Sequence, residues 1–196
     1  MRYISDFLHH FSEKPAFSAN EARLFLKRRG ASEGYHKLLL EKLYSSGRIY
    51  RITRGHYTFY EEVQHVGFAF SPFYYGLEDA LSLLNLWEQE TNPVVITPRK
   101  VRSGIREFRG RNYVVRRIDR SMFFGYIYIK YEKFYISVSA PEKTLIDLFY
   151  FRTYIENDTY DEVFKNIDAT RFKDYLENVP GWLKSKLTGV LDDSGG

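Results

Sequence analysis

The sequence contains no cysteine, which excludes disulfide cross-links, thiolate zinc sites and cysteine nucleophiles. Its apolar stretches run only a few residues before a proline, glutamate or arginine interrupts them, so no membrane-spanning helix is expected. The first residues, Met1–Asp6, include an acidic side chain and lack an apolar core, unlike a signal peptide. We therefore expect a soluble, cytoplasmic protein.

The charged residues are arranged in blocks of alternating sign. The net charge of the 196 residues is +4, but residues 1–60 carry +6 and residues 98–120 carry +7. Residues 61–97 have no basic residue and carry −6, and residues 121–196 carry −3. A general scatter of surface charge is the alternative, but two basic blocks favour two surfaces that contact polyanions. With 44% apolar residues, the chain can form one large domain or two small ones.

The first sixty residues contain the patterns of three helices. Apolar residues recur at spacings of three and four over Arg2–Ser12. Ser18 and Glu21 fit a capping box that opens a second helix, which Gly30 ends. A third helix is predicted over about Glu33–Ser45. Its inward side is predicted to comprise Tyr35, Leu38, Leu39 and Leu43.

A β-hairpin follows these helices, with strands at Arg48–Ile52 and Tyr57–Tyr60 joined by a turn at Thr53–His56. Three helices and a hairpin are the order of a winged helix-turn-helix domain, predicted here for residues 1–62. The third helix would enter the major groove, and the wing would touch the backbone or the minor groove. Tyr35 as a core aromatic and His36 as a plain surface residue remain alternatives. The candidate DNA-binding residues are Arg28, Ser32, Tyr35, His36, Lys37, Arg51, Thr53, Arg54 and His56.

Residues 71–196 are predicted to form a second, mixed α+β domain, so the fold class is α+β. A helix over Leu77–Glu90 precedes a small sheet of about four strands. Ser139 and Glu142 fit a second capping box, with Pro141 at the first helical position. Further helices are predicted near 159–167, 170–178 and 181–190.

The basic segment 98–120 has several interpretations. It could extend a DNA footprint, contact an acidic partner protein or bind RNA, with Phe108 and Tyr113 available for base stacking. A solvated ribbon rich in ion pairs is the structural alternative. A polyanion contact is the interpretation we favour. The residues of this second basic patch are Arg99, Lys100, Arg102, Arg106, Arg109, Arg111, Arg116 and Arg117.

Motifs of catalysis are scarce. The sequence has no glycine-rich phosphate loop, no helical pair of histidines spaced to bind zinc, and no Glu-x-Lys or Asp-x-Lys triplet of a common nuclease. Capping accounts for Glu142, and Asp147 is expected to hold a neighbouring loop or arginine. We therefore predict no catalytic residues, no metal, no cofactor and no enzymatic activity.

Four segments resemble a known family. These are Tyr75–Leu86, Val94–Thr97, Phe123–Gly125 and, most specifically, Ile136–Leu148. Together with the predicted winged domain, they resemble AbiEi-type antitoxins of type IV toxin–antitoxin (abortive infection) systems over about residues 1–150. The region beyond Arg152 has no strong match.

The resemblance implies a transcriptional repressor that binds inverted repeats in the promoter of its own operon, as a monomer or homodimer on double-stranded DNA. It also implies that the second domain neutralises a toxin with a nucleotidyltransferase fold. Some members of the family are stand-alone regulators without a toxin. The main alternative is a protein-interaction module, in which the winged domain docks a protein and residues 98–120 bind the toxin without specific DNA binding.

Overall fold

The computed structural model describes residues 3–194 and has the predicted α+β fold. The chain forms two compact units. The first comprises Met1–Ser71 and Arg106–Asn112, and the second comprises Pro72–Ile105 and Tyr113–Gly196. The first unit therefore continues past residue 62 and includes part of the basic segment that we assigned to the second domain. Within the described residues, none of the helices combines the length and apolarity that a bilayer span requires.

The first unit contains three helices and a three-stranded antiparallel sheet of order β1-β3-β2. Phe17 lies opposite Tyr57, and Tyr50 opposite Thr58, in this sheet. A 3₁₀ helix over Val63–Phe70 follows the sheet. The elements are α1 (Ile4–Ser12), β1 (Phe17–Ser18), α2 (Ala19–Arg28), α3 (Tyr35–Ser45), β2 (Tyr50–Thr53) and β3 (His56–Thr58).

An aromatic cluster joins α1, β1 and α2. Phe7 and Phe11 are 4.6 Å apart between ring centroids, and Phe11 lies 4.6 Å from Phe17 and 5.2 Å from Phe25. Buried aromatic pairs at these separations stabilise a core beyond the area that they remove from water. The predicted capping box at the start of α2 is confirmed: the Glu21 amide donates to the Ser18 hydroxyl, and the Glu21 carboxylate accepts from the Ser18 amide.

Helix α3 differs from its prediction in two respects. It begins at Tyr35 rather than Glu33, because Gly34 precedes it with a φ of +85°, a conformation that favours glycine. Leu38, predicted to face inward, is 72% exposed. The buried face consists of Leu39, Leu40 and Leu43. Because a helical residue can belong to only one face, burial of these three leucines directs Leu38 to the opposite side.

The second unit combines a mixed sheet with five helices among the described residues. The six-stranded sheet, larger than predicted, has the order β6-β7-β5-β4-β9-β8, with β5 parallel to β7 and β4 parallel to β9. Residues 106–112 of its β6–β7 hairpin belong to the first unit. The elements are β4 (Tyr74–Tyr75), α4 (Leu77–Leu83), β5 (Val94–Thr97), β6 (Gly104–Phe108), β7 (Arg111–Arg117), β8 (Tyr126–Tyr131), β9 (Phe134–Ser139), α5 (Pro141–Phe151), α6 (Asn157–Lys165), α7 (Ala169–Leu176) and α8 (Gly181–Ser194).

Helix α4 is shorter than predicted and ends at Leu83 instead of Glu90. Asn85 has a φ of +57°, and the amide of Leu86 donates to the carbonyl of Leu81. This is the hydrogen-bond pattern of a helix that ends in a left-handed residue. Asparagine adopts that conformation more readily than most residues, so it ends the helix well before Pro93.

The predicted capping box at Ser139 is wrong, although Pro141 is the first residue of α5 as predicted. Ala140 is the N-cap residue, because Ser139 still belongs to β9. Glu142 is 1% exposed, and its carboxylate accepts a hydrogen bond from the Asp168 amide at 2.8 Å. Glu142 thus joins α5 to the start of α7 instead of capping its own helix.

Lys143 and Asp147, one turn apart on α5, form a buried ion pair. Asp147 pairs with Lys143 and accepts a hydrogen bond from the Tyr74 hydroxyl at 2.8 Å, instead of holding a loop or arginine as predicted. The Lys143 ammonium also lies 5.1 Å from the centre of the Phe124 ring. Burial raises the pKa of Asp147 and lowers that of Lys143. Each charge therefore depends on its partner to remain ionised in this core.

We predict that Lys143→Met destabilises the second unit by about 3–5 kcal/mol, because it leaves the Asp147 carboxylate buried without its cation. Urea unfolding followed by tryptophan fluorescence measures this, since Trp87 and Trp182 both belong to the second unit. Adding Asp147→Asn should recover most of the loss, because no uncompensated charge then remains. The matched control is Lys165→Met at an exposed ion pair, where we expect a change below about 1 kcal/mol. If Lys143→Met alone were as stable as the wild type, this would contradict the dependence of the two charges on each other.

Candidate nucleic-acid interface

The start of α3 and the end of α2 present polar side chains to solvent. Arg28, Ser32 and Lys37 are all exposed. Ser32 lies in the turn between the two helices, where its carbonyl accepts from the Tyr35 amide at 3.2 Å. Lys37 lies in the first turn of α3, on the side away from the buried leucines. These three predicted residues are therefore accessible to a ligand.

Tyr35 and His36 are half-buried and less available. The Tyr35 ring packs edge-on against Tyr3 at 5.8 Å and lies against the core of the first unit, which favours its structural interpretation. Partial burial lowers the pKa of His36, and the positive charges of Lys37 and Arg23 lower it further. Burial is the main cause of this lowered pKa, and the negative charge of Glu33 opposes the effect of the two cations.

The β2–β3 hairpin turns at Arg54 and Gly55. Gly55 has a φ of +77°, which a glycine accommodates without strain. Arg54 and Arg51 are exposed, and the Arg51 guanidinium lies 5.4 Å from the centre of the Tyr44 ring. Thr53 and His56, on either side of the turn, are half-buried.

Lys37 and Arg54 are two exposed cations of the first unit. Among residues 3–194, neither Lys37 nor Arg54 forms an ion pair with a carboxylate. Arg28 and Arg51 are exposed as well, so all four side chains are accessible to a polyanion.

The Arg106–Asn112 segment packs against the β2–β3 hairpin. The Arg106 guanidinium donates to the Thr53 hydroxyl at 3.4 Å and lies over the Phe70 ring. Arg109 donates to the Glu61 carboxylate at 2.8 Å, and its guanidinium lies 4.2 Å from the centre of the Tyr50 ring. We predicted that these arginines belong to a separate second basic patch. In the fold, however, Arg106 contacts Thr53 and Arg109 contacts Tyr50, and both partners belong to β2.

The contacts of Tyr50 and Arg109 affect the ionisation of Glu61. The hydrogen bond from Tyr50 lowers the pKa of Glu61, and Arg109 lowers it further, so this carboxylate stays ionised beside the arginine. Arg109 is therefore held in place by Glu61 and Tyr50. Arg111, on the same hairpin, is exposed.

The other residues of the predicted second patch belong to the second unit and are exposed: Arg99, Lys100, Arg102, Arg116 and Arg117. Strands β5 and β7 are parallel, so they end at the same edge of the sheet, where Lys100, Arg117 and Arg120 line a shallow cleft. The prediction of base stacking in this segment is wrong. Phe108 is 3% exposed and Tyr113 is fully buried, so neither ring is available to stack on a base.

We predicted that Leu38 faces inward, so its position on the surface was not foreseen. The run Leu38-Leu39-Leu40 is apolar throughout, so composition alone does not separate inside from outside. The spacing of Leu39, Leu40 and Leu43 could have revealed the position of Leu38. These three residues form one face of the helix, and Leu38 lies outside that face.

Comparison with protein-family models finds no match for this chain, and comparison with curated proteins finds none either.

We predict that Lys37→Ala raises the pKa of His36, because it removes a nearby positive charge that disfavours protonation of the imidazole. An NMR titration of the His36 ring protons measures the change. Lys27→Ala removes an equal charge from the last turn of α2, and Lys27 does not contribute to the shift, so this variant is the control. An unchanged His36 pKa in Lys37→Ala would show that the two side chains do not interact.

Proposed function

We propose that the chain is a sequence-specific transcriptional repressor that binds double-stranded DNA through its first unit, a winged helix-turn-helix domain. The exposed cations on α3 and on the hairpin tip, Lys37 and Arg54, are the observation that carries this proposal. We place such a repressor in the cytoplasm and assign it no catalytic activity.

The arrangement of elements supports the proposal. Three helices are followed by a hairpin, and β1 adds a third strand beside β3. In winged domains of this order, the N-terminal part of the third helix reads the major groove. The outward position of Lys37 and its neighbours on α3 suits that role.

The chemistry of the side chains supports a division of labour on DNA. Arginine and lysine neutralise phosphates and thereby release counterions, which supplies affinity that does not depend on sequence. Arg54, at a turn tip, suits this task. Lys37, at the start of α3, suits donation to a base edge, for example to guanine O6 and N7.

The resemblance to AbiEi antitoxins extends the proposal to the second unit, to which we assign neutralisation of a partner toxin with a nucleotidyltransferase fold. The exposed cations of Arg99, Lys100 and Arg117 favour an acidic surface or a nucleic acid as their partner. A stand-alone regulator would retain the same DNA-binding surface without the toxin.

We predict that the affinity of the full-length chain for its upstream DNA falls roughly 10³-fold or more between about 50 mM and 200 mM salt. A gel-shift titration measures this. Arg54→Ala should weaken binding about equally on all sequences and reduce the salt slope by about 1, because it removes one phosphate contact. Lys37→Ala and His36→Ala should instead change the preferred sequence.

Lys130→Ala is the matched control, since it removes an exposed cation from β8 of the second unit and should leave the salt slope unchanged. A flat salt response would reject phosphate neutralisation and favour a protein-interaction module. Equal affinity for every duplex in a random pool would remove the assignment of α3 as the recognition helix.

A further inference from the structure

Leu38 is an apolar side chain in an unusual position. It is 72% exposed, and it lies on α3, the element that the proposed function places in the major groove. Three other leucines of the same helix, Leu39, Leu40 and Leu43, are buried, so Leu38 is not needed to close the core. An exposed leucine gains free energy only from a ligand that covers it.

The neighbours of Leu38 on the outward face are charged. Lys37 and Glu41 are both exposed, and Glu41 lies one turn beyond each of them on the helix. The Ser45 hydroxyl donates to the Glu41 carboxylate at 3.3 Å. The face thus offers a donor, an apolar group and an acceptor in sequence.

This chemistry matches the edges of base pairs in the major groove better than it matches an apolar protein surface. There, guanine presents acceptors, cytosine presents an amino donor, and thymine presents the only apolar group, its 5-methyl. Lys37 and Arg23 both lie near His36 at this end of α3, and their positive charges complement the phosphates on either side of the groove.

We propose that Leu38 contacts the 5-methyl group of a thymine, so that the chain prefers thymine at one position of each half-site. The inference rests on the proposed DNA binding and adds a specificity determinant to it. Leu38 acts by covering the methyl group and excluding water from it, while Lys37 and Glu41 contact the polar edges of adjacent bases.

The test removes the methyl group alone. A duplex selected by the full-length chain is remade with each thymine replaced in turn by deoxyuridine, which differs only in lacking the 5-methyl. We expect one position per half-site at which the wild-type affinity falls about fourfold, the effect of one buried methyl group. For Leu38→Ala, the same replacement should have no effect, because the side chain that contacts the methyl is gone.

Leu24→Ala is the matched control, since Leu24 is exposed on α2 outside the outward face of α3, and it should keep the wild-type response to deoxyuridine. Because Leu38 is exposed, Leu38→Ala should fold normally, which a thermal unfolding curve verifies.

The outcomes separate the two proposals. Failure of the wild type to bind any duplex would overturn the repressor function and the inference together. Specific binding that is insensitive to every deoxyuridine, or a sensitive position that persists in Leu38→Ala, would overturn the inference alone. Loss of a dimer in Leu38→Ala during sedimentation would also overturn it, because Leu38 would then belong to a contact between protein chains.

Discussion

Burial of Leu39, Leu40 and Leu43 determines how helix α3 is rotated in the first unit. Once these three side chains face the core, the helix has no freedom to choose what it presents to solvent, and Lys37 and Leu38 point outward. A rotation that buried Leu38 would expose part of this leucine face at a cost of about 25 cal/mol per Å² of apolar surface. The hydrophobic core of the first unit therefore selects the chemical groups that a ligand meets.

The cations of the first unit differ in the contacts that they make within the protein. Arg109 pairs with the Glu61 carboxylate, and Arg106 contacts the Thr53 hydroxyl and the Phe70 ring. Lys37 and Arg54 lack such partners among residues 3–194. These cations have the same formal charge, and only their contacts within the protein distinguish them. Some basic residues already have partners within the protein. A count of all basic residues in the sequence therefore overestimates how many can bind a polyanion.

Local patterns predicted several local features of this chain, although the capping box at Ser139, the helix end at Glu90 and the inward position of Leu38 were wrong. The capping box at Ser18 and Glu21, the three N-terminal helices and the turn at Arg54 and Gly55 follow from signals within a few residues of each other. The α+β class follows from the same signals. What the sequence could not show is pairing over long distances, such as Arg106 with Thr53 or Glu142 with the start of α7. Those contacts depend on how strands and helices pack, and no local periodicity encodes them.

The buried groups of α5 bear on how far the resemblance reaches. Its most specific segment, Ile136–Leu148, contains Glu142, Lys143 and Asp147, and all three are buried. Glu142 joins two helices, and Lys143 and Asp147 compensate each other beside Tyr74. The polar residues of this motif therefore maintain the core of the second unit, and a partner cannot reach them without unfolding it. A partner of the kind that we propose for the second unit would therefore have to contact exposed residues outside this segment.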